Sequence, residues 1–224
     1  MEISKKENYK FVDLIKIMRT LRSKNGCPWD REQTHKSIRN NFIEEVYEAA
    51  EAIDEDDPKL LKEELGDVLL QVVFHAQISE EAGEFDIDGV CEDICKKLIN
   101  RHPHIFSDTK ADNAEQVLSN WENIKIQEKG YSDTKEYIES TAKSLPALMR
   151  AAKIQKRLIK RNVITKPEAD ETIDNLLENI VNLKQSKTNS EIIGKILYET
   201  AMLANVCNID PEQALYDFNK KIIK

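Results

Sequence analysis

Apolar residues recur at helical spacing along most of the chain. Phe11, Leu14, Ile15, Met18 and Leu21 form one such stripe, and Phe42, Val46, Ala49, Ala50 and Ile53 form a second. Intervals of three and four residues predict amphipathic helices at both places. A third stripe starts with Leu61, Leu65, Val68 and Leu69, then turns apolar nearly all round through Leu70, Val72, Val73 and Phe74. That change is how a helix entering a bundle core reads. Pro58 suits the first turn of this helix. Asp54, Asp56 and Asp57 fill a loop of about five residues before it, so 42–77 is expected to be an antiparallel helical hairpin.

On either side of the hairpin the pattern is broken by turn residues. Asn25-Gly26 predicts a turn, Pro28 is expected to stop any helix, and Asp30 with Gln33 resembles a capping box opening the next one. Trp29, alone in that loop, reads as a plug over the core more readily than as a platform for a base. Asp86 or Asp88 is expected to cap a helix near 90–100 with Val90, Ile94 and Leu98 inward. Asp112 and Glu115 look like a second capping box, opening a helix through Gly130. The stretch YSDTKEYIESTAKSL reads as a linker. A basic helix follows, with Leu148, Ala152, Gln155 and Ile159 along one side, then DETIDNLLENIVNLKQ, SEIIGKILYETAMLANVC and NIDPEQALYDFNKK. Gly66 and Gly194 hold the same relative place in two such helices. A helical Gly costs about 1 kcal/mol against Ala, so a close helix approach is expected at both, and the recurrence suggests an internal duplication. The organisation expected is a first domain over 1–130, a linker over 131–145 and a second domain over 146–224.

Composition supports an all-α protein with short loops: 40% of the 224 residues are hydrophobic, and only six are Gly and six Pro. The net charge of −8 and pI near 5.2 disfavour nucleic acid as a main partner. No apolar run reaches membrane-spanning length and no signal-peptide core follows the first residues, so a soluble, cytoplasmic protein is expected. Cys27, Cys91, Cys95 and Cys207 are too scattered for a disulfide framework. Cys91 and Cys95 with His102 and His104 could be drawn as a zinc site, but the spacing is not CxxC, and free thiols partly buried on a helix are the expectation.

The hairpin's acids carry the candidate chemistry. Glu45 and Glu48 are three apart on its first helix, Glu64 and Asp67 three apart on its second, so each pair projects from one side. Asp67 shares its side with Leu70 and Phe74, where an unpaired carboxylate costs several kcal/mol. Four facing carboxylates repel one another unless a cation sits among them, and oxygen-only ligands favour Mg²⁺ or Mn²⁺. For any single Glu a solvated helix face explains as much. Lys97 and Arg101 suit a helix C-terminus without any ligand. Trp121 and Lys125 share a face that suits a base and its phosphates, although a core Trp with a snorkelling Lys is the commoner arrangement.

In order along the chain, LRSKNGCPWDREQTHKSI, IEEVYEAAEAI, KEELGDVLLQVVFHAQI, RHPHIF, NWENIK and SLPALMRAAKIQK resemble the MazG family of nucleoside triphosphate pyrophosphohydrolases. The resemblance covers nearly the whole chain. It implies tandem four-helix-type domains, a homodimer, and Mg²⁺-dependent cleavage of NTPs to NMP and pyrophosphate. It also implies that Glu45, Glu48, Glu64 and Asp67 ligate the metal, that Lys97 and Arg101 hold phosphates, and that Trp121 and Lys125 contact nucleotide. Glu44, the first acid of EExxE, would orient either the water or groups around the metal ligands, and with Glu48 would take part in catalysis. The second half departs from the pattern: DNLLE puts Asn175 where a ligand Glu is expected, and IIGK puts Ile192 and Lys195 in place of Glu and Asp. The chain stops at Lys224, before a second arginine or WxxxK segment. The expectation is therefore an enzyme active in its first domain only, with a degenerate second copy kept for packing or dimerisation. The competing expectation is a non-catalytic helical scaffold that binds nucleotides or a protein.

Overall fold

The computed structural model describes residue 5 and residues 7–131, 133–185 and 189–223, which form twelve helices and, among the described residues, no strand. In chain order they are α1 (Phe11–Arg22), α2 (Pro28–Glu32), α3 (Arg39–Asp54), α4 (Pro58–Ala82), α5 (Ile87–Arg101), α6 (Pro103–Phe106), α7 (Ala114–Lys129), α8 (Thr134–Glu139), α9 (Ala147–Lys160), α10 (Ala169–Gln185), α11 (Ser190–Val206) and α12 (Pro211–Ile223). The chain divides into two compact units, Met1–Leu118 and Ser119–Lys224, so the division falls inside α7 and not in the loop after it. None of these helices is long and apolar enough to cross a membrane.

In the first unit α3 and α4 lie along each other as the expected hairpin, closed by Glu55, Asp56 and Asp57. Asp56 takes a left-handed conformation (φ 53°), and the Asp57 carboxylate caps α4 by accepting from the Lys59 and Leu60 amides at 2.9 and 3.1 Å. Ala49 and Ala52 are the buried residues of α3. Small residues at the seam let the helices close up, and they leave Val46 and Ile53, expected inward, 47% and 59% exposed. The core is Met18, Ile38, Val73, Phe74, Ala76 and Ile87, with Leu14, Leu70 and Val90 packed against it.

Several local expectations are corrected. Pro28 opens the short helix α2 instead of ending one, since a first-turn proline has no amide to lose. Asp30 lies inside α2, and α3 starts after Ile38 without a side-chain cap. Trp29 is 58% exposed and plugs nothing within its unit. The segment is held instead by Arg22, whose side chain is 5% exposed. Arg22 donates to both Glu81 oxygens at 2.9 and 2.7 Å and to the Asp30 and Gln33 carbonyls. On α5 Val90 packs inward, but Ile94 and Leu98 are 49% and 48% exposed, because only the start of that helix packs on the core. Asn113, not Asp112, caps α7 by accepting from the Gln116 amide at 2.9 Å. Cys91, Cys95 and Cys207 are exposed, not partly buried.

In the second unit α10 lies along α11, with α9 and α12 against them. The stretch expected to be a linker carries α8, whose Tyr137 is 1% exposed. Its hydroxyl donates to Glu122 at 2.6 Å, and the guanidinium groups of Arg157 and Arg161 lie over its ring at 4.4 and 5.2 Å. Burial, reinforced by the Glu122 hydrogen bond, pushes the Tyr137 hydroxyl up to about 12. A Cβ added at Gly66 or Gly194 would meet nothing within 4 Å, so the close approach expected there is absent within each unit.

Candidate metal centre

The carboxylates meet in the middle of the α3–α4 hairpin because antiparallel helices bring residues equally far from the turn opposite one another. Glu45 and Glu48 project from α3 and Glu64 from α4, and one oxygen from each lies within 4.8 Å of the others. Glu45 and Glu64 are half-buried and Glu48 is exposed. Asp67, half-buried one turn beyond Glu64, is not in this tight group but is near enough to act on it. Desolvation, then repulsion from Asp67 and Glu48, holds the Glu45 carboxyl above the ordinary glutamate range. Desolvation followed by Glu48 and Asp67 does the same to Glu64.

This is unfavourable charge concentrated where the fold could have placed neutral residues. The donor set is all hard oxygen and small enough in span to close on one ion. Those features fit Mg²⁺ or Mn²⁺ and not a thiophilic metal. Among the described residues, no group including Cys91, Cys95, His102 or His104 has that closeness.

Of the other residues singled out, Glu44 is exposed on α3 beside the ligand pair, Lys97 is exposed on α5, and Arg101 is half-buried in the last turn of α5. Trp121 and Lys125 belong to the second unit, where the Lys125 ammonium sits 5.0 Å from the centre of the Trp121 ring. In that unit α10 lies along α11, and an open cavity of about 480 Å³ lies against the two helices. Its lining is Asn179, Asn182, Gln185, Glu191, Ile192 and Lys195 among others, mostly amides with one carboxylate already paired to Lys195 at 3.0 Å. Asn175 and Glu178 are not among the lining residues of this cavity.

A family whose sequence model is described as the MazG nucleotide pyrophosphohydrolase domain matches residues 33–106. That range lies within the first unit and contains all four acids, Glu44, Lys97 and Arg101, while Trp121 and Lys125 fall outside it. The chain is 41% identical over 217 residues to the nucleoside triphosphate pyrophosphohydrolase/pyrophosphatase MazG of Thermotoga maritima, covering 96% of this chain and 83% of that one. It is 39% identical over 216 residues to the nucleoside triphosphate pyrophosphohydrolase of Escherichia coli K12, covering 93% and 82%. It is also 51% identical over 148 residues to the uncharacterized protein YabN of Bacillus subtilis, of which it spans only 30%.

Proposed function

This chain belongs to the MazG family, and from that membership we propose that it is a divalent-metal-dependent nucleoside triphosphate pyrophosphohydrolase, converting NTP and water to NMP and pyrophosphate. The observation that carries this reading is the carboxylate cluster of Glu45, Glu48 and Glu64, which keeps like charges together at an electrostatic cost. These three, with Asp67, would hold magnesium, or manganese in its place. A bound divalent ion supplies charge neutralisation on the phosphate oxygens and lowers the pKa of a bound water. The chain's own groups do the rest. Glu44 orients the attacking water, with Glu48 beside it on the same helix. The water oxygen forms a bond to the α-phosphorus, the α–β bridging P–O bond breaks, and the water's proton passes to a carboxylate. Lys97 and Arg101 offset charge on the departing pyrophosphate.

We read only the first of the tandem domains as active. Where α10 and α11 face each other, an apolar Ile192, an ammonium and amides stand in place of a carboxylate set, which is no environment for a divalent cation. Exposed apolar residues on α3 and α4, among them Val46, Tyr47, Leu65 and Leu69, support a homodimer. Free thiols and the absence of a membrane-crossing helix among the described residues support a cytoplasmic enzyme, and a net charge of −8 argues against nucleic acid as substrate.

The test is incubation with each NTP and Mg²⁺, with pyrophosphate measured. Pyrophosphate release is expected, and Glu48→Gln should lower it by about a hundredfold or more. Release of orthophosphate instead, or turnover indifferent to Glu48→Gln, would count against this reading, and nucleotide binding with no turnover at all would favour the non-catalytic scaffold.

A further inference from the structure

The acidity of the chain belongs to its first unit. Residues 1–118 hold 16 Lys and Arg against 26 Asp and Glu, whereas residues 119–224 hold 17 against 15. The cations of the second unit are also gathered: Ser140 through Pro167 contains eight Lys or Arg and no acid, so this stretch cannot neutralise itself locally. Two of its arginines are engaged by the fold. Arg157 and Arg161 lie over the Tyr137 ring, and Arg157 also donates to the Tyr137 carbonyl and the Ser140 hydroxyl. The lysines take another side of α9. Lys153, Lys156 and Lys160 are spaced three and four apart, share one face, and are exposed.

Lys156 and Lys160 line a cavity of about 250 Å³ at the ends of α9 and α11, and Lys166 joins them from the loop after α9. Among the described residues no acid lines it, and its other polar residues are Asn205 and Asn208. Lys160 has one acidic neighbour, Glu122 at 3.6 Å, while Lys156 and Lys166 form no ion pair with a described residue. The helix dipole accounts for Lys160, in the last turn of α9, but not for Lys156 further in or for Lys166 outside any helix. Like charges brought to one concavity from two segments of chain repel one another, and a bound anion relieves that repulsion. All three ammonium-bearing residues are open to solvent, so an anion can reach them. The cavity lies roughly 15–20 Å along α11 from Ile192 and Lys195, at about 1.5 Å per residue, and is separate from the one at the other end of that helix.

We propose that this cavity is an anion site for a diphosphate group, either free pyrophosphate or the phosphate end of a nucleotide. Charge and size set the class. Ammonium groups bind phosphate oxygens as point charges, and three of them match a diphosphate better than a single phosphate. At about 250 Å³ the cavity is smaller than the roughly 300–1,000 Å³ of sites that enclose drug-sized ligands, so a base and sugar would stay outside it. Lysines converging on a concavity also suit a compact anion better than an extended strand. The site uses neither the acid cluster nor a metal, and it stands or falls apart from the hydrolase reading.

The experiment is calorimetry on the full chain in EDTA, which keeps the acid cluster free of metal, with pyrophosphate, ADP and orthophosphate as probes. Pyrophosphate should bind at one site per chain, more tightly than orthophosphate, and more weakly as salt rises. Lys156→Gln combined with Lys166→Gln, both at exposed positions, should weaken pyrophosphate binding by about tenfold or more. Lys184→Gln, which removes an exposed cation of α10 outside the cavity, should leave it unchanged. Tighter binding of pyrophosphate than of ADP would support the site with the free anion as its ligand, and the reverse would support it with a nucleotide's phosphate end. Absence of saturable binding by both probes would overturn the proposal. So would orthophosphate binding as tightly as pyrophosphate, or a loss in the double variant no larger than in Lys184→Gln. A short single-stranded RNA that binds more tightly than either diphosphate would overturn it in favour of an extended nucleic-acid surface.

Discussion

Glu45 and Glu64 are held as carboxylates against their own electrostatics, and that gives the acid cluster a stability signature. A carboxyl whose folded pKa is raised stabilises the fold while protonated, fully so below its ordinary value of 4.5, and that contribution fades as pH rises through the raised value. Metal-free protein should therefore lose these residues' contribution as pH rises above about 4.5, whereas Mg²⁺ should restore stability at neutral pH. At a hundredfold excess over Kd, the ion adds about 2.7 kcal/mol. Glu45→Gln removes one repelling charge, so the metal-free variant should melt slightly higher than the unaltered chain, by less than about 1 kcal/mol at this solvated site. The same variant should lose most of its Mg²⁺-induced shift and its turnover. Melting curves with and without Mg²⁺, across that pH range, read all of this. The pairs Glu45/Glu48 and Glu64/Asp67 were legible in the sequence because i,i+3 spacing fixes a shared side. The His35–His75 pair was not, since residues forty apart meet only through the path of the chain between α2 and α3, for which no periodicity exists.

At the scale of elements, helical stripes gave the number and extent of the long helices but not their rotational setting. Val46, Ile53, Ile94 and Leu98 satisfy the spacing of a buried face and are exposed, while Ala49 and Ala52 take the seam of the hairpin. Hydrophobic periodicity identifies a face about a third of the circumference wide, and which part of it meets a neighbour depends on the size of residues on both helices. α8 was missed because six residues between Asp133 and Ser140 are too few to show a period. Gly194 brings a separate expectation. It sits inside α11, exposed, with open space where a Cβ would go, so it bears the helix cost of glycine without a contact in return within its unit. Gly194→Ala should stabilise the protein by about 0.5–1 kcal/mol, seen as a shift in denaturant midpoint with the slope unchanged. A loss of stability instead would mean that the face of α11 carrying Gly194 lies close against a neighbour.

For the whole molecule, the largest unexplained feature is how much apolar surface the chain leaves uncovered. Within the first unit, Val46 and Tyr47 on α3 and Leu65 and Leu69 on α4 are 40–56% exposed, on the two helices that carry the acids. A chain with a net charge of −8 has polar residues enough to cover that face, so apolar ones there point to a surface that is covered in use. If a second copy covers it, the metal-bearing hairpin is part of the interface, and association and catalysis are linked. Leu65→Lys places an ammonium beside Glu64 in that face without touching the carboxylates themselves. Sedimentation should then show a dimer for the unaltered chain and a monomer for Leu65→Lys at the same concentration, with NTP turnover falling as the dimer is lost. Turnover that stays high in a monomeric variant would separate the two properties and make each hairpin a self-sufficient site. A variant that remains dimeric would move the interface to other exposed apolar faces, such as Ile173, Leu177, Ile180 and Val181 on α10. That outcome would give the second unit, among whose described residues no clustered carboxylate set occurs, a role in assembly.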